Sequence, residues 1–137
     1  MRKKLTIITI VLLAIVFCSS QSFSQTGKWT QMFPANSPPM RSGNGIAYLS
    51  DDKVIIFGGQ SKKDSKIIEL GDTWIYDLSE NNWIEIINDT CPLPREALTF
   101  TNIADGKALL FGGEKESEDG YGKDTWLFDI QTMKMIS

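Results

Sequence analysis

"DTWIYD" occupies positions 72–77 and "DTWLFD" positions 124–129, one phrase written twice with only aliphatic and aromatic exchanges between the copies. Outward from these copies, the landmarks Trp29, Arg41, Gly58-Gly59, Asp72 and Trp83 are answered in order by Trp83, Arg95, Gly112-Gly113, Asp124 and Met135. Trp to Arg is 12 residues in both sets, Arg to the first Gly is 17, and Asp to Trp83 or Met135 is 11. One interval differs: Gly59 to Asp72 is 13 residues and Gly113 to Asp124 is 11. A fixed period marks a repeat architecture, and length variation confined to one interval marks an exposed connection, so a loop is predicted after each glycine pair.

Within one period, "GNGIAYL" (43–49) and "KVIIFGG" (53–59) are short β-favouring runs separated by "SDD", and "EALTFTNI" (96–103) and "KALLFGG" (107–113) repeat the pair around Asp105-Gly106, a hairpin-turn dipeptide. "DTWIYD" supplies a third strand and "NNWIEII" (81–87) a fourth. Four short strands per period of about 50 residues, joined as a meander, are the pattern of a β-propeller blade. The runs "VIIF" and "ALLF" are apolar on both faces, as inner strands covered on both sides must be. The glycine pairs lack the helix and the Lys-Ser/Thr of a phosphate loop, so they are assigned to backbone conformation and no cofactor is expected.

The order of Arg, apolar strand, "VIIFGG", variable loop, "DTWIYD", tight turn and Trp resembles the kelch repeat, over residues 28–136. The resemblance implies an all-β fold of four-stranded antiparallel propeller blades, with Trp29, Gly58, Gly59, Asp72, Trp74, Asp77, Trp83, Gly112, Gly113, Asp124, Trp126 and Asp129 as structural repeat positions. Met135 stands where the family carries Trp, and Asn44 where it often carries His, which puts the packing of the last strand in question. "GKWTQM" (27–32) aligns with "NNWIEI" and is expected to be an orphan fourth strand. The expected organisation is a signal peptide at 1–24, the orphan strand and linker at 25–42, and blades at 43–87 and 88–137, an incomplete ring. Propellers use about 4 to 8 blades. Two blades leave apolar faces uncovered, and either self-association or further blades in a longer chain would cover them.

"MRKK" followed by an uncharged apolar run of 13, Leu5 to Phe17, has the form of a secretory signal, with cleavage expected after Ser24 or, second, Ser20. The protein is thus expected in the periplasm or secreted, with no stable membrane insertion once the segment is removed. Cys18 offers a lipid-anchor alternative that the bulky Phe17 disfavours. Losing the segment leaves 11 basic against 17 acidic residues, a poor balance for nucleic acid or an anionic membrane. One remaining cysteine, Cys91, cannot form an internal disulfide. The absence of histidine excludes Ser-His-Asp and Cys-His catalysis and His-ligated metals, including those of the radical-copper oxidases with kelch propellers.

Strand order places 60–71, 114–123, 34–40 and 88–94 on one face and leaves only tight turns on the other. Loops on a rigid scaffold carry function, so the long-loop face is the candidate surface for a protein or carbohydrate ligand. Arg41, Arg95, Lys62, Lys63 and Tyr121 are its candidate ligand-binding residues. The arginines suit a carboxylate, and a salt bridge between blades is their structural alternative. Asp77 and Asp129 suit turn-fixing hydrogen bonds. Glu116, Glu118 and Asp119 lack EF-hand spacing for calcium, and Asn88-Asp89-Thr90 is a glycosylation sequon. No catalytic set is visible, so a binding module is expected. The alternative that the resemblance implies is a sialic-acid mutarotase-like enzyme, for which Glu96 is the one acidic strand-one candidate.

Overall fold

The computed structural model describes residues 26–115 and 120–137. The signal-peptide reading, both cleavage positions, Cys18 and the Glu116/Glu118/Asp119 group fall outside them. Residues 26–31 belong to a different compact unit from residues 32–137.

The second unit is two four-stranded antiparallel blades. In the first, β1 (Gly45–Tyr48), β2 (Lys53–Phe57), β5 (Thr73–Asp77) and β6 (Asn82–Ile86) lie in the order β1-β2-β5-β6. In the second, β7 (Thr99–Ala104), β8 (Lys107–Phe111), β11 (Thr125–Asp129) and β12 (Lys134–Ile136) repeat that order. The hairpin turns are two-residue turns with both central residues left-handed: Asp51 and Asp52 at φ 50° and 59°, Asp105 and Gly106 at 49° and 74°. That geometry matches the strand twist, and Asp and Gly tolerate it.

The stretches after the glycine pairs are not plain loops. Residues 60–71 contain a hairpin, β3 (Gln60–Lys63) and β4 (Lys66–Glu69), and 114–123 contain β9 (Glu114–Lys115) and β10 (Gly120–Tyr121). Asp64 and Ser65 at φ 48° and 65° close the first as another two-residue turn. These strands carry little apolar alternation because they project from the blade, so the period-2 pattern that reveals a half-buried strand is missing.

The expected strand at 27–32 is not formed, and Trp29 is 99% exposed. A strand needs a free ladder edge, and the outer edges of β5 and β11 are taken by β6 and β12.

The core lies between the blades. Ala47, Leu49, Ile55, Phe57 and Ile75 of the first cluster with Phe100, Ala108, Leu110, Phe128 and Met135 of the second. The pleat puts the first set on one face of its blade and the second set on the opposite face of its own. Met135 pairs with Phe128 and is buried, so the Trp-to-Met departure leaves a packed, though three-residue, last strand. Backbone bonds stitch the inner ends together: Gly59 N donates to Arg95 O (2.8 Å), Arg95 N to Leu70 O (3.2 Å) and Ala97 N to Gly43 O (2.8 Å). Gly58 and Gly59 hold φ 67° and 94°, and a Cβ would sit 2.5 Å from Arg95 O at the first and 2.6 Å from Ser42 O at the second. Only glycine permits both the conformation and this approach.

Candidate functional site

The repeated residues form a repeated clamp. Arg41 precedes β1 and Asp72 precedes β5; their side chains meet as a bidentate pair, Nη1–Oδ1 2.8 Å and Nη2–Oδ2 2.7 Å. Arg41 also donates to Gly58 O (3.1 Å) and Pro39 O (3.2 Å), and Trp74 Nε1 donates to Asp72 Oδ2 (2.6 Å). In the second blade Arg95 donates to Asp124 Oδ1 and Oδ2 (both 2.8 Å), Gly112 O (3.0 Å) and Leu93 O (3.0 Å), while Trp126 Nε1 donates to Asp124 Oδ2 (2.7 Å). Each arginine thus sits within its own repeat, tying the start of strand one to the start of strand three, rather than bridging side chain to side chain between blades. Arg95 is fully buried. Burial pushes the Asp72 carboxyl up, but hydrogen bonds from Arg41 and Trp74 outweigh it and hold the group below the usual carboxylate value. Hydrogen bonds from Arg95 hold Asp124 well below it, against a smaller opposing effect of burial.

The rest of the phrase has structural work too. Tyr76 tilts against Trp83 at a ring separation of 5.0 Å. Asp77 Oδ1 accepts from Ser79 N (3.0 Å), Ser79 Oγ (2.6 Å) and Glu80 N (3.2 Å), and Lys53 approaches Oδ2 at 3.1 Å. The Ser79 and Lys53 contacts hold the Asp77 carboxyl down at about 2. Asp129 Oδ1 accepts from Gln131 N at 2.9 Å.

The other candidates disperse. Lys62 and Lys63 are exposed on β3 beside the Asp64–Ser65 turn. Glu96 joins Glu114 in a two-way backbone bridge at the foot of β9. Asn88 Nδ2 is buried without a hydrogen-bond partner. Tyr121, on β10, is 81% exposed and lines a cleft of about 500 Å³ together with Cys91, Leu93, Lys115, Lys123, Asp124 and Trp126. Lys115 is buried, its Nζ 3.6 Å from Asp124 Oδ1. Cys91, Leu93, Lys115 and Lys123 are the site residues that sequence reasoning missed. Register was the available signal: the repeat partners of Lys115 and Lys123 are Ser61 and Gly71, so the first blade lacks both lysines. Among the described residues no cluster of His, Cys, Asp and Glu could hold a metal, and no helix is long and apolar enough to cross a membrane.

Tandem four-stranded antiparallel blades, packed face to face with clamps at the starts of their strands, define an all-β propeller-type fold, of which the described residues form two blades. The family profile described as the KLHDC2/KLHL20/DRC7 Kelch-repeats domain matches residues 18–137, and the chain belongs to the kelch-repeat family. An F-box/kelch-repeat protein of Arabidopsis thaliana is 31% identical over 123 residues, covering 83% of this chain and 25% of that protein. Kelch domain-containing protein 1 of Mus musculus is 26% identical over 117 residues, 81% of this chain and 28% of that protein. The chain therefore spans about a quarter of the length of these relatives. The solved structure of YjhT superposes with a TM-score of 0.64 at 20% identity, over 80% of this chain and 40% of that one, a likeness of fold.

Proposed function

We propose that this kelch-repeat chain is an exported binding module whose ligand contacts come from the long-loop face, centred on the cleft of the second blade. The observation that carries the reading is the cleft itself. It sets the exposed Tyr121 and the Trp126 ring beside Lys123, with Lys115, Arg41 and Arg95 all engaged by aspartates. Concave sites with a few placed polar groups are where small ligands and peptide ends bind. Aromatic surface next to ammonium groups suits a carboxylate-bearing carbohydrate or protein segment. In this reading Arg41 and Arg95 serve the surface by fixing the feet of the hairpins that frame it.

Binding to immobilised sialylated glycans and acidic peptides, followed by interferometry, is the test. Tyr121→Ala and Lys123→Ala are expected to weaken a ligand so found at least about tenfold, the worth of about 1.4 kcal/mol of contact. Unchanged binding in both variants would remove the cleft from the function. Interconversion of α-sialic acid anomers, followed by NMR at micromolar protein, is expected to proceed at the uncatalysed rate. Export has its own readout, the intact mass of the secreted product: a chain retaining Met1, or acylated on Cys18, contradicts it.

A further inference from the structure

The connection entering each blade is fastened to that blade's outer strand in one copy of the repeat and not in the other. In the first blade Asn36 N donates to Asn82 Oδ1 (2.9 Å) and Asn81 Nδ2 to Phe33 O (3.5 Å), so two asparagines at the start of β6 hold the incoming chain down. Their register partners in the second blade are Met133 and Lys134, and the partners of Phe33, Pro34, Ala35 and Asn36 are Ile87, Asn88, Asp89 and Thr90. Among the described residues no hydrogen bond joins 87–90 to 133–134. A pocket of about 300 Å³ stands there instead, lined by Ile87, Asn88, Asp89, Thr90, Lys134 and Met135. One wall is the connection after β6 and the other is β12, so the pocket lies at the rim of the contact between the two blades. Met135, at the register of Trp83, enlarges it by putting a thioether where the first blade has an indole.

Asn88 Nδ2 is buried in the wall of this pocket with no hydrogen-bond partner. A buried donor left without a bond is costly, and this one has no bond to lose. Turning the amide about Cβ–Cγ to face the pocket therefore gains a bond with any acceptor placed there. Asp89, Thr90 and Lys134 are exposed, and among the described residues their side chains form no ion pair or hydrogen bond.

We propose that this pocket binds one uncharged sugar ring. Its lysine and aspartate cancel in charge, so the lining favours neither an anion nor a cation. It offers donors from Asn88, Thr90 and Lys134 together with acceptors from Asp89 and Thr90, a mixture that hydroxyl groups, each donor and acceptor at once, can satisfy. Two neighbouring hydroxyls span the fork of a carboxylate or an amide, and the C–H face of the ring suits Met135 and Ile87. Ligand sites run from about 300 to 1,000 Å³, so this one admits a single ring. A zwitterion would depend instead on the charges of Asp89 and Lys134, which solvent screens. The site shares no lining residue with the Tyr121 cleft.

The test is NMR of the full chain carrying methyl-labelled methionine, with the Met135 methyl as reporter during titration with glucose, galactose and mannose. A saturable shift of that methyl is expected with at least one sugar, with a Kd in the millimolar range. Asn88→Ala and Asp89→Ala are each expected to weaken it at least about tenfold, and Tyr121→Ala to leave it unchanged. Because the Asn88 amide has no bond in the free chain, Asn88→Ala is expected to keep the urea midpoint of the unsubstituted chain. Absence of a saturable shift with all of these sugars overturns the proposal. So does a shift that persists in both Asn88→Ala and Asp89→Ala, which would place the sugar elsewhere. A response to glycine or acetate in place of the sugars overturns the uncharged class. A lowered urea midpoint in Asn88→Ala would show the amide bonded within the fold and overturns the proposal as well.

Discussion

Phe57 and Phe111 are the same residue at the same register position of consecutive blades, yet Phe57 is 0% exposed and Phe111 is 49% exposed. Nothing in the local sequence separates them, since both follow an aliphatic run and precede a glycine pair. The difference comes from the neighbour: the first blade has the second lying against that face, and the second has nothing there among the described residues. In a repeat fold, burial is a property of the stack. A strand's hydrophobicity specifies only that a cover is required.

The sharpest way to break this comparison is to truncate both rings. Phe57→Ala should cost about 3–5 kcal/mol of unfolding free energy, the range for a buried aromatic, whereas Phe111→Ala should cost under about 1 kcal/mol. Urea titration of the two variants in parallel measures the gap, and equal losses would show that the Phe111 face is covered in solution. Next in size is the clamp. Asp124→Asn leaves the buried Arg95 guanidinium without its counter-charge and should cost about 2–3 kcal/mol, below the figure for a fully buried pair because the Asp124 side chain is 34% exposed. Asp72→Asn should fall in the same range if the two clamps are equivalent, since Arg41 is almost as well covered as Arg95.

Acid sensitivity reports on the Asp77 turn. Asp77 is held at about 2 against an ordinary value of 3.8. Between those values the unfolded chain takes up a proton that the folded chain refuses. The stabilisation is therefore complete above about pH 4 and is lost as pH falls through 3.8 toward about 2. Asp72 and Asp124 shift in the same direction and add to the same acid limb. Asp77→Asn should flatten stability across that window, because it removes the carboxylate that accepts two backbone N–H groups and a hydroxyl. Thermal unfolding between pH 2 and pH 5 is the measurement.

The smallest effect concerns Gly43 and Ala97, which hold φ 67° and 53° at equivalent positions. An alanine there carries a left-handed penalty of about 1–2 kcal/mol, offset by about 0.5–1 kcal/mol of glycine's greater unfolded entropy. Ala97→Gly should accordingly stabilise by about 0.5 kcal/mol, read as a small rise in the urea midpoint.

The blades were legible because their evidence is periodic: the "DTW" phrases, the Asp105-Gly106 turn and the inner strands apolar on both faces each occur where the register demands. Less legible was the work of the arginines. Sequence places Arg41 and Asp72 31 residues apart, and only the antiparallel return of β2 and β5 brings the start of one strand beside the start of the other. The projecting hairpins were hidden because exposed polar strands have no apolar alternation to betray them. Residues 27–32 misled for the opposite reason: a good match to the fourth-strand pattern says nothing about whether an edge is free to receive it. The cleft was missed because Lys115 and Lys123 depart from the repeat, and a landmark-based reading attends to what recurs.

The clamps also bear on how such a chain can change. Each arginine fastens the foot of a hairpin to the blade, through the glycine carbonyl on one side and the aspartate on the other, so strands two and three are fixed before the hairpin begins and after it ends. The two hairpins already differ by two residues in span while β2–β5 and β8–β11 keep the same register. Length and composition beyond the clamp are mechanically insulated from the sheet. A transplanted hairpin from another repeat should fold on this base without disturbing the blade, and new recognition can be acquired there by insertion, with the scaffold left unaltered.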